Sequence, residues 1–127
     1  MRGIRGATQI EENTVPAMEE AVAELCAALV ERNGIRPADI GWAIFTVTHD
    51  LDADFPARAA REKGGWGMVP MICSREIPVP GSLPRIIRVL LHVESLDRPV
   101  RHVYLRWARA LRPDLVDPEA PPKPGGG

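Results

Sequence analysis

The stretch from Met68 to Val93, MVPMICSREIPVPGSLPRIIRVLLHV, carries the side chains of the chain best suited to chemistry. Cys73 offers a thiol, Glu76 a carboxylate three residues later, and Arg88 a permanently charged guanidinium with a fan of N–H donors. Arg88 lies between Ile87 and Val89 in a run that alternates like a β-strand: Ile87, Val89, Leu91 and Val93 on one face, Arg88, Leu90, His92 and Glu94 on the other. Mid-strand, a long cation needs either water or a partner. It is then either an arginine on the wet face of an antiparallel sheet, or a cation at the mouth of an anion site with Cys73 and Glu76 brought close by the intervening bend.

The elements that must position these groups follow from local pattern. Pro78, Pro80, Gly81 and Pro84 exclude regular structure from Ile77 to Pro84. Val69 to Ile72 is expected to be a strand leading into Cys73. Before it, Asp54 is expected to cap a short helix with Pro56 in its first turn and Ala57, Ala59 and Ala60 continuing it; Arg58 and Arg61 share its solvated face, and Gly64-Gly65 ends it. Gly41 to Thr48, GWAIFTVT, has the apolar, β-forming composition of a central strand. Upstream, Thr14 as N-cap, Pro16 in the first turn and Met18, Val22, Leu25 and Leu29 at helical spacing predict a helix that Asn33-Gly34 terminates, with Cys26 as core filler. Residues 1–8 are a fraying arm or a short strand in which Arg5, between Ile4 and Gly6, has a defined direction. His102 to Leu111 fits both periodicities. The order βαβ(α)ββ(β) predicts a single α/β domain, a mixed sheet with helices on one face, over residues 1–115, followed by a flexible proline- and glycine-rich tail, 116–127.

Composition bounds the function. A chain of 127 residues with 45% hydrophobic and 26% charged content is one ordinary globular domain. A net charge of −1 without a basic block argues against nucleic-acid binding. No apolar run reaches bilayer length, and no secretory leader opens the chain, so a cytoplasmic location is expected. Of the 16 basic residues, all but Lys63 and Lys123 are arginine. Cys26 and Cys73 form no metal or redox motif. His49, His92 and His102 match no metal-ligand spacing, and the adjacent His49-Asp50 pair would point to opposite faces of a strand. No metal or cofactor is implied.

Several short segments in series, over roughly residues 1–115, resemble the monofunctional AroH-class chorismate mutases: Arg-Gly-Ile-Arg-Gly-Ala-Thr at the N-terminus, Phe55-Pro56-Ala57, Gly65-Trp66, Val69-Pro70, Cys73 with Glu76, Ile87-Arg88-Val89, Arg101-His102-Val103-Tyr104-Leu105 and Leu111-Arg112-Pro113-Asp114-Leu115. The resemblance implies a homotrimeric pseudo-α/β barrel with active sites between subunits, converting chorismate to prephenate without a cofactor. It implies that Arg88 stabilises the breaking ether oxygen, that Glu76 accepts a hydrogen bond from the ring hydroxyl, and that Cys73 contacts the same region. Arg5 and Tyr104 would hold a carboxylate, with Arg61 at the rim, and Phe55 would form an apolar wall. Ile72 takes a position where relatives can carry a hydroxyl, and Arg58 one where a lysine occurs. The 55–63 helix would line a neighbour's cleft, and 102–111 would be largely extended. Two other classes stand beside it: the RidA-like imine deaminases, which share the trimeric architecture and also set an arginine in an intersubunit cleft but against which the Cys73, Glu76, Arg88 and Tyr104 set counts, and a non-catalytic trimer that binds small dicarboxylates through Arg5, Arg88 and Tyr104.

Overall fold

The structure, a computed structural model, describes residues 1–115. The expected tail, 116–127, lies outside the described residues. The elements in order are β1 (Arg2–Gln9), α1 (Val15–Asn33), β2 (Ile40–Val47), α2 (Pro56–Lys63), β3 (Met71–Arg75), β4 (Ile86–Val93) and β5 (Val103–Tyr104), with 3-10 turns at Pro37–Asp39, Arg106–Ala110 and Pro113–Leu115. The strands form one sheet in the order β3-β2-β4-β1-β5. The Arg88 strand is therefore central. It runs antiparallel to β1 and β2, while β5 is parallel to β1 and β3 parallel to β2.

Both helices pack on one face of this mixed sheet. In α1 the Thr14 hydroxyl accepts from the Ala17 N–H at 3.2 Å, and Gly34 closes the helix in the left-handed conformation at φ 63. Its buried stripe of Met18, Val22, Leu25, Cys26 and Leu29 meets Ile4, Phe45, Val89 and Leu91 from the sheet, all in one core. Gly6 permits this approach: a Cβ there would stand 3.1 Å from both Leu29 and Val89 side chains. Burial holds the Cys26 thiol protonated, its pKa pushed up to about 12.

Four local expectations are corrected. Asp54 does not cap α2; Phe55 stands at the N-cap position, and Asp54 accepts instead from the Phe55 N–H (2.7 Å) and from Arg58 Nε (2.5 Å). Arg58 also reaches Glu19 at 2.9 Å, so it joins α2 to α1 rather than standing solvated. The strand expected at Val69 to Ile72 begins at Met71, where pairing with β2 begins. Finally, 102–111 is not largely extended. Only Val103–Tyr104 pairs with β1, and Arg106, at φ 54, turns the chain into a 3-10 segment while its Nη1 donates to the Gln9 carbonyl at 3.1 Å.

The face of the sheet away from the helices carries Arg5, Trp42, Ile44, Thr46, Ile72, Arg88, Leu90 and His92, as the cross-strand register dictates. Trp42, Ile72 and Leu90 are exposed large apolar side chains on that face. Among the described residues no helix is long and apolar enough to cross a membrane.

Candidate active site

Arg88 faces the open side of the sheet because its neighbours in β4, Ile87 and Val89, are buried under the helices. Register sets Thr46 of β2 on one side of it and Ala7 of β1 on the other. Glu76 follows the last residue of β3, where its N–H still donates to the Val47 carbonyl at 2.9 Å. From there its carboxylate receives both arms of Arg88, Nε to Oε2 at 2.8 Å and Nη2 to Oε1 at 2.6 Å. The Thr46 hydroxyl donates to Oε2 at 2.6 Å. Burial alone would raise the Glu76 pKa, but the hydrogen bonds from Arg88 and Thr46 and the charge of Arg88 outweigh it, so the carboxyl sits below its ordinary range. The same pair, through the Glu76 hydrogen bond first, holds the guanidinium charged.

A cavity of about 400 Å³ opens over Arg88, lined by Arg5, Ile44, Thr46, Leu90, Tyr104, Leu111 and Arg112 among others. Arg5 enters from β1 and its guanidinium has no hydrogen-bond or ion-pair partner among the described residues. The Tyr104 ring is buried against Ala7, Ile86 and Ala108. Arg112 is held by Asp114, Nε to Oδ1 at 3.1 Å and Nη2 to Oδ2 at 2.9 Å. A second, larger hollow under the 77–84 bend shares Thr46, Arg88 and Leu111 with the first. The arrangement is an anion site with apolar walls and one carboxylate of fixed orientation.

Of the residues singled out from sequence, Arg5, Arg88 and Tyr104 line the first hollow, and Glu76 lines the second and joins the first through its bonds to Arg88. Phe55, Arg61, Ile72 and Cys73 line neither. They line a separate hollow with Ala57, Arg58 and Met71, where α2 meets the edge strand β3. The bend thus brings Glu76 to Arg88 but leaves Cys73 behind. Cys73 pairs in register with Phe45, on the helix face of the sheet, so it points away from the side that Arg88 occupies. Burial raises its pKa, which keeps the thiol protonated at neutral pH. Arg61 lies at this outer hollow, 3.5 Å from Glu62, not beside Arg5 and Tyr104.

Two lining residues, Thr46 and Arg112, were not singled out from sequence. Arg112 stands in the Leu111–Leu115 segment already noted, and a polar residue in the otherwise apolar run of β2 was the signal for Thr46. The histidines do not converge: His92 stacks on Trp42 (ring centroids 5.4 Å apart), and His102 Nδ1 accepts from the Arg5 backbone N–H at 2.9 Å.

Residues 1–115 match the family described as chorismate mutase type I. The chain is 52% identical to the chorismate mutase AroH of Thermus thermophilus over 119 residues, 91% of this chain and 96% of that protein. It is 42% identical to the chorismate mutase AroH of Bacillus subtilis over 118 residues, 91% of this chain and 92% of that one. Among solved structures, a chorismate mutase from Clostridium thermocellum superposes with a TM-score of 0.81 and 43% identity, covering 87% of this chain and 99% of that one.

Proposed function

The chain belongs to the chorismate mutase type I family and converts chorismate to prephenate, and we propose that it does so with the Arg88–Glu76 pair of one copy and the α2–β3 rim of another. The reaction is an intramolecular rearrangement: the ether C–O bond breaks as a C–C bond forms, and every electron stays within the substrate. No nucleophile, redox group or proton relay is needed. Rate comes from holding the reactive conformer and from stabilising negative charge on the ether oxygen as the bond opens.

The observation that carries this reading is the division of labour around Arg88. Nε and Nη2 are committed to Glu76, which fixes the plane of the guanidinium and leaves Nη1 to donate to the ether oxygen. A preorganised donor of this kind contributes on the order of 3 kcal/mol, a few hundredfold in rate. Glu76, ionised and aimed by Thr46 and Arg88, accepts from the ring hydroxyl. Arg5, whose guanidinium makes no hydrogen bond or ion pair among the described residues, and Tyr104 bind a carboxylate.

Phe55, Arg61, Ile72 and Cys73 belong to the same active site only if a second chain brings them to the first. A trimer wrapped on the open sheet faces meets that need and covers Trp42, Ile72 and Leu90. Phe55 then walls the ring and Arg61 adds positive charge at the mouth. Two free cysteines suit a cytoplasmic location.

The test is direct. Purified protein mixed with chorismate, with a chelator and without any cofactor, is expected to consume chorismate and release prephenate. Saturable binding of chorismate without turnover would instead support a non-catalytic binder.

A further inference from the structure

The parallel strand β5 is two residues long, in register with β1 at Gly6↔Val103 and Ala7↔Tyr104, with the Leu105 N–H donating to the Ala7 carbonyl at 2.9 Å on its C-terminal side. So short a ladder does not hold an edge strand in place by itself. On its N-terminal side the pairing is continued by side chains. The Asn33 amide, fully buried at the end of α1, donates to the Arg101 carbonyl at 2.9 Å and accepts from the Arg101 N–H at 2.8 Å. The same amide donates to the Leu29 carbonyl at 2.9 Å, which fixes its orientation. One residue on, His102 Nδ1 takes the Arg5 backbone N–H at 2.9 Å, where a β5 backbone carbonyl would stand in a longer ladder. A nitrogen that accepts a hydrogen bond carries no proton, so this imidazole is neutral, with its hydrogen on Nε2.

We propose that His102 is a positioning residue for Arg5: the neutral imidazole holds the β1 backbone at Arg5 while Asn33 holds the chain entering β5, so that Arg5 and Tyr104 converge on one substrate carboxylate, and protonation of His102 loosens that clamp. The proposal rests on the assignment of Arg5 to a substrate carboxylate. Arg5 is well suited to such control, because its guanidinium makes no hydrogen bond or ion pair among the described residues and acts on Asp114 through charge alone, so that its backbone is what anchors it. The charged groups facing His102 are Arg5 from β1 and Arg112 from the segment after Leu111, itself held by Asp114; Arg101 precedes it in the chain, and α1 presents only the uncharged Asn33. Burial first, then the charges of Arg5 and Arg112, lower the His102 pKa from its ordinary value. The imidazole is therefore neutral at pH 7 and gains its proton only below about pH 6.5, while substrate carboxylates stay ionised down to roughly pH 5.

Steady-state kinetics of the wild type, His102→Asn, His102→Leu and Arg5→Ala from pH 5 to 8 test this. Asparagine Oδ1 reproduces the acceptor and does not titrate; leucine removes it. In the wild type, KM for chorismate is expected to rise as pH falls below about 6.5, with kcat less affected. His102→Asn should keep a low KM and lose that rise. His102→Leu should raise KM roughly 3–10-fold at pH 7.5, the loss of one hydrogen bond, with kcat nearly unchanged. An asparagine variant that keeps the full acid rise in KM overturns the proposal, and it does so even if the leucine variant fails to fold. A leucine variant with wild-type KM, beside an Arg5→Ala variant whose KM is raised, overturns the role of His102 alone. An Arg5→Ala variant with wild-type KM overturns the carboxylate assignment itself, and the His102 proposal with it.

Discussion

The Arg88 cluster and the α2–β3 rim are built on opposite principles. Around Arg88 the polar atoms are held by neighbours of the same chain: Glu76 takes two arms of the guanidinium and the Thr46 hydroxyl, all within 2.8 Å. At the rim, Phe55 is 68% and Ile72 64% exposed, and among the described residues Arg61 pairs with its neighbour Glu62, at 3.5 Å. The first region is preorganised for charge before any substrate arrives. The second is a largely apolar surface whose Arg58 is paired with Asp54 and Glu19 but whose Phe55 and Ile72 stand open to solvent. Large apolar side chains left in solvent beside a cavity mark a contact surface, and here they are the residues that the family resemblance assigns to the substrate. On the proposed reading one chain holds two unlike halves of an active site, and the half assigned to electrostatic catalysis is the one whose polar atoms are paired within the chain.

The comparison breaks first if Arg88 is not the centre of charge stabilisation. Arg88→Lys should lower kcat by about 10²–10³ with assembly intact, because a single ammonium cannot hold Glu76 through two arms and also reach the ether oxygen. Chorismate turnover beside sedimentation of the variant checks this; near-wild-type kcat would remove Arg88 from its role.

Thr46→Val sharpens the same half. It removes one of the hydrogen bonds that lower the Glu76 pKa, and should reduce kcat roughly 3–10-fold. The sign with pH follows from the depressed pKa. In the wild type the ionised Glu76 contributes to stability and turnover above the ordinary carboxylate value of about 4.3, and that contribution is lost as pH falls through the lower folded value. The kcat profile should be flat from pH 8 to 5 and the acid loss should begin at higher pH in Thr46→Val. The smallest effect belongs to the rim. Cys73→Ser should change kcat/KM by less than about 10-fold, since a thiol that stays protonated is neither nucleophile nor strong acceptor; a larger loss would give Cys73 a chemical role.

How much of this was legible in the sequence depended on how local the cause was. Alternation in Ile86–Val93 placed Arg88 on the open face, and Thr14, Pro16 and Gly34 bounded α1, because strand pleat and helix caps are written in adjacent residues. Thr46 was not singled out because its role arises from the register of β2 against β4, which pairs it with Arg88 from 42 residues away. The GWAIFTVT run shows a polar position at Thr46 but not the strand that it pairs with. The break after Leu105 was equally hidden, since a left-handed turn at an arginine lacks the glycine that usually signals one. The spacing of His102 excludes a metal site and says nothing of Arg5; the contact between them spans 97 positions and exists only once β5 lies beside β1.

The composite site is tested most directly by mixing chains. Arg88→Ala disables one half and Phe55→Ala/Arg61→Ala the other, and an equimolar mixture can be refolded together and assayed with chorismate. If each active site draws its halves from two chains, random assortment restores about a quarter of the sites to full composition, and the mixture should reach about a quarter of wild-type turnover, far above either parent. Turnover no higher than the mean of the two parents would contradict the two-chain site.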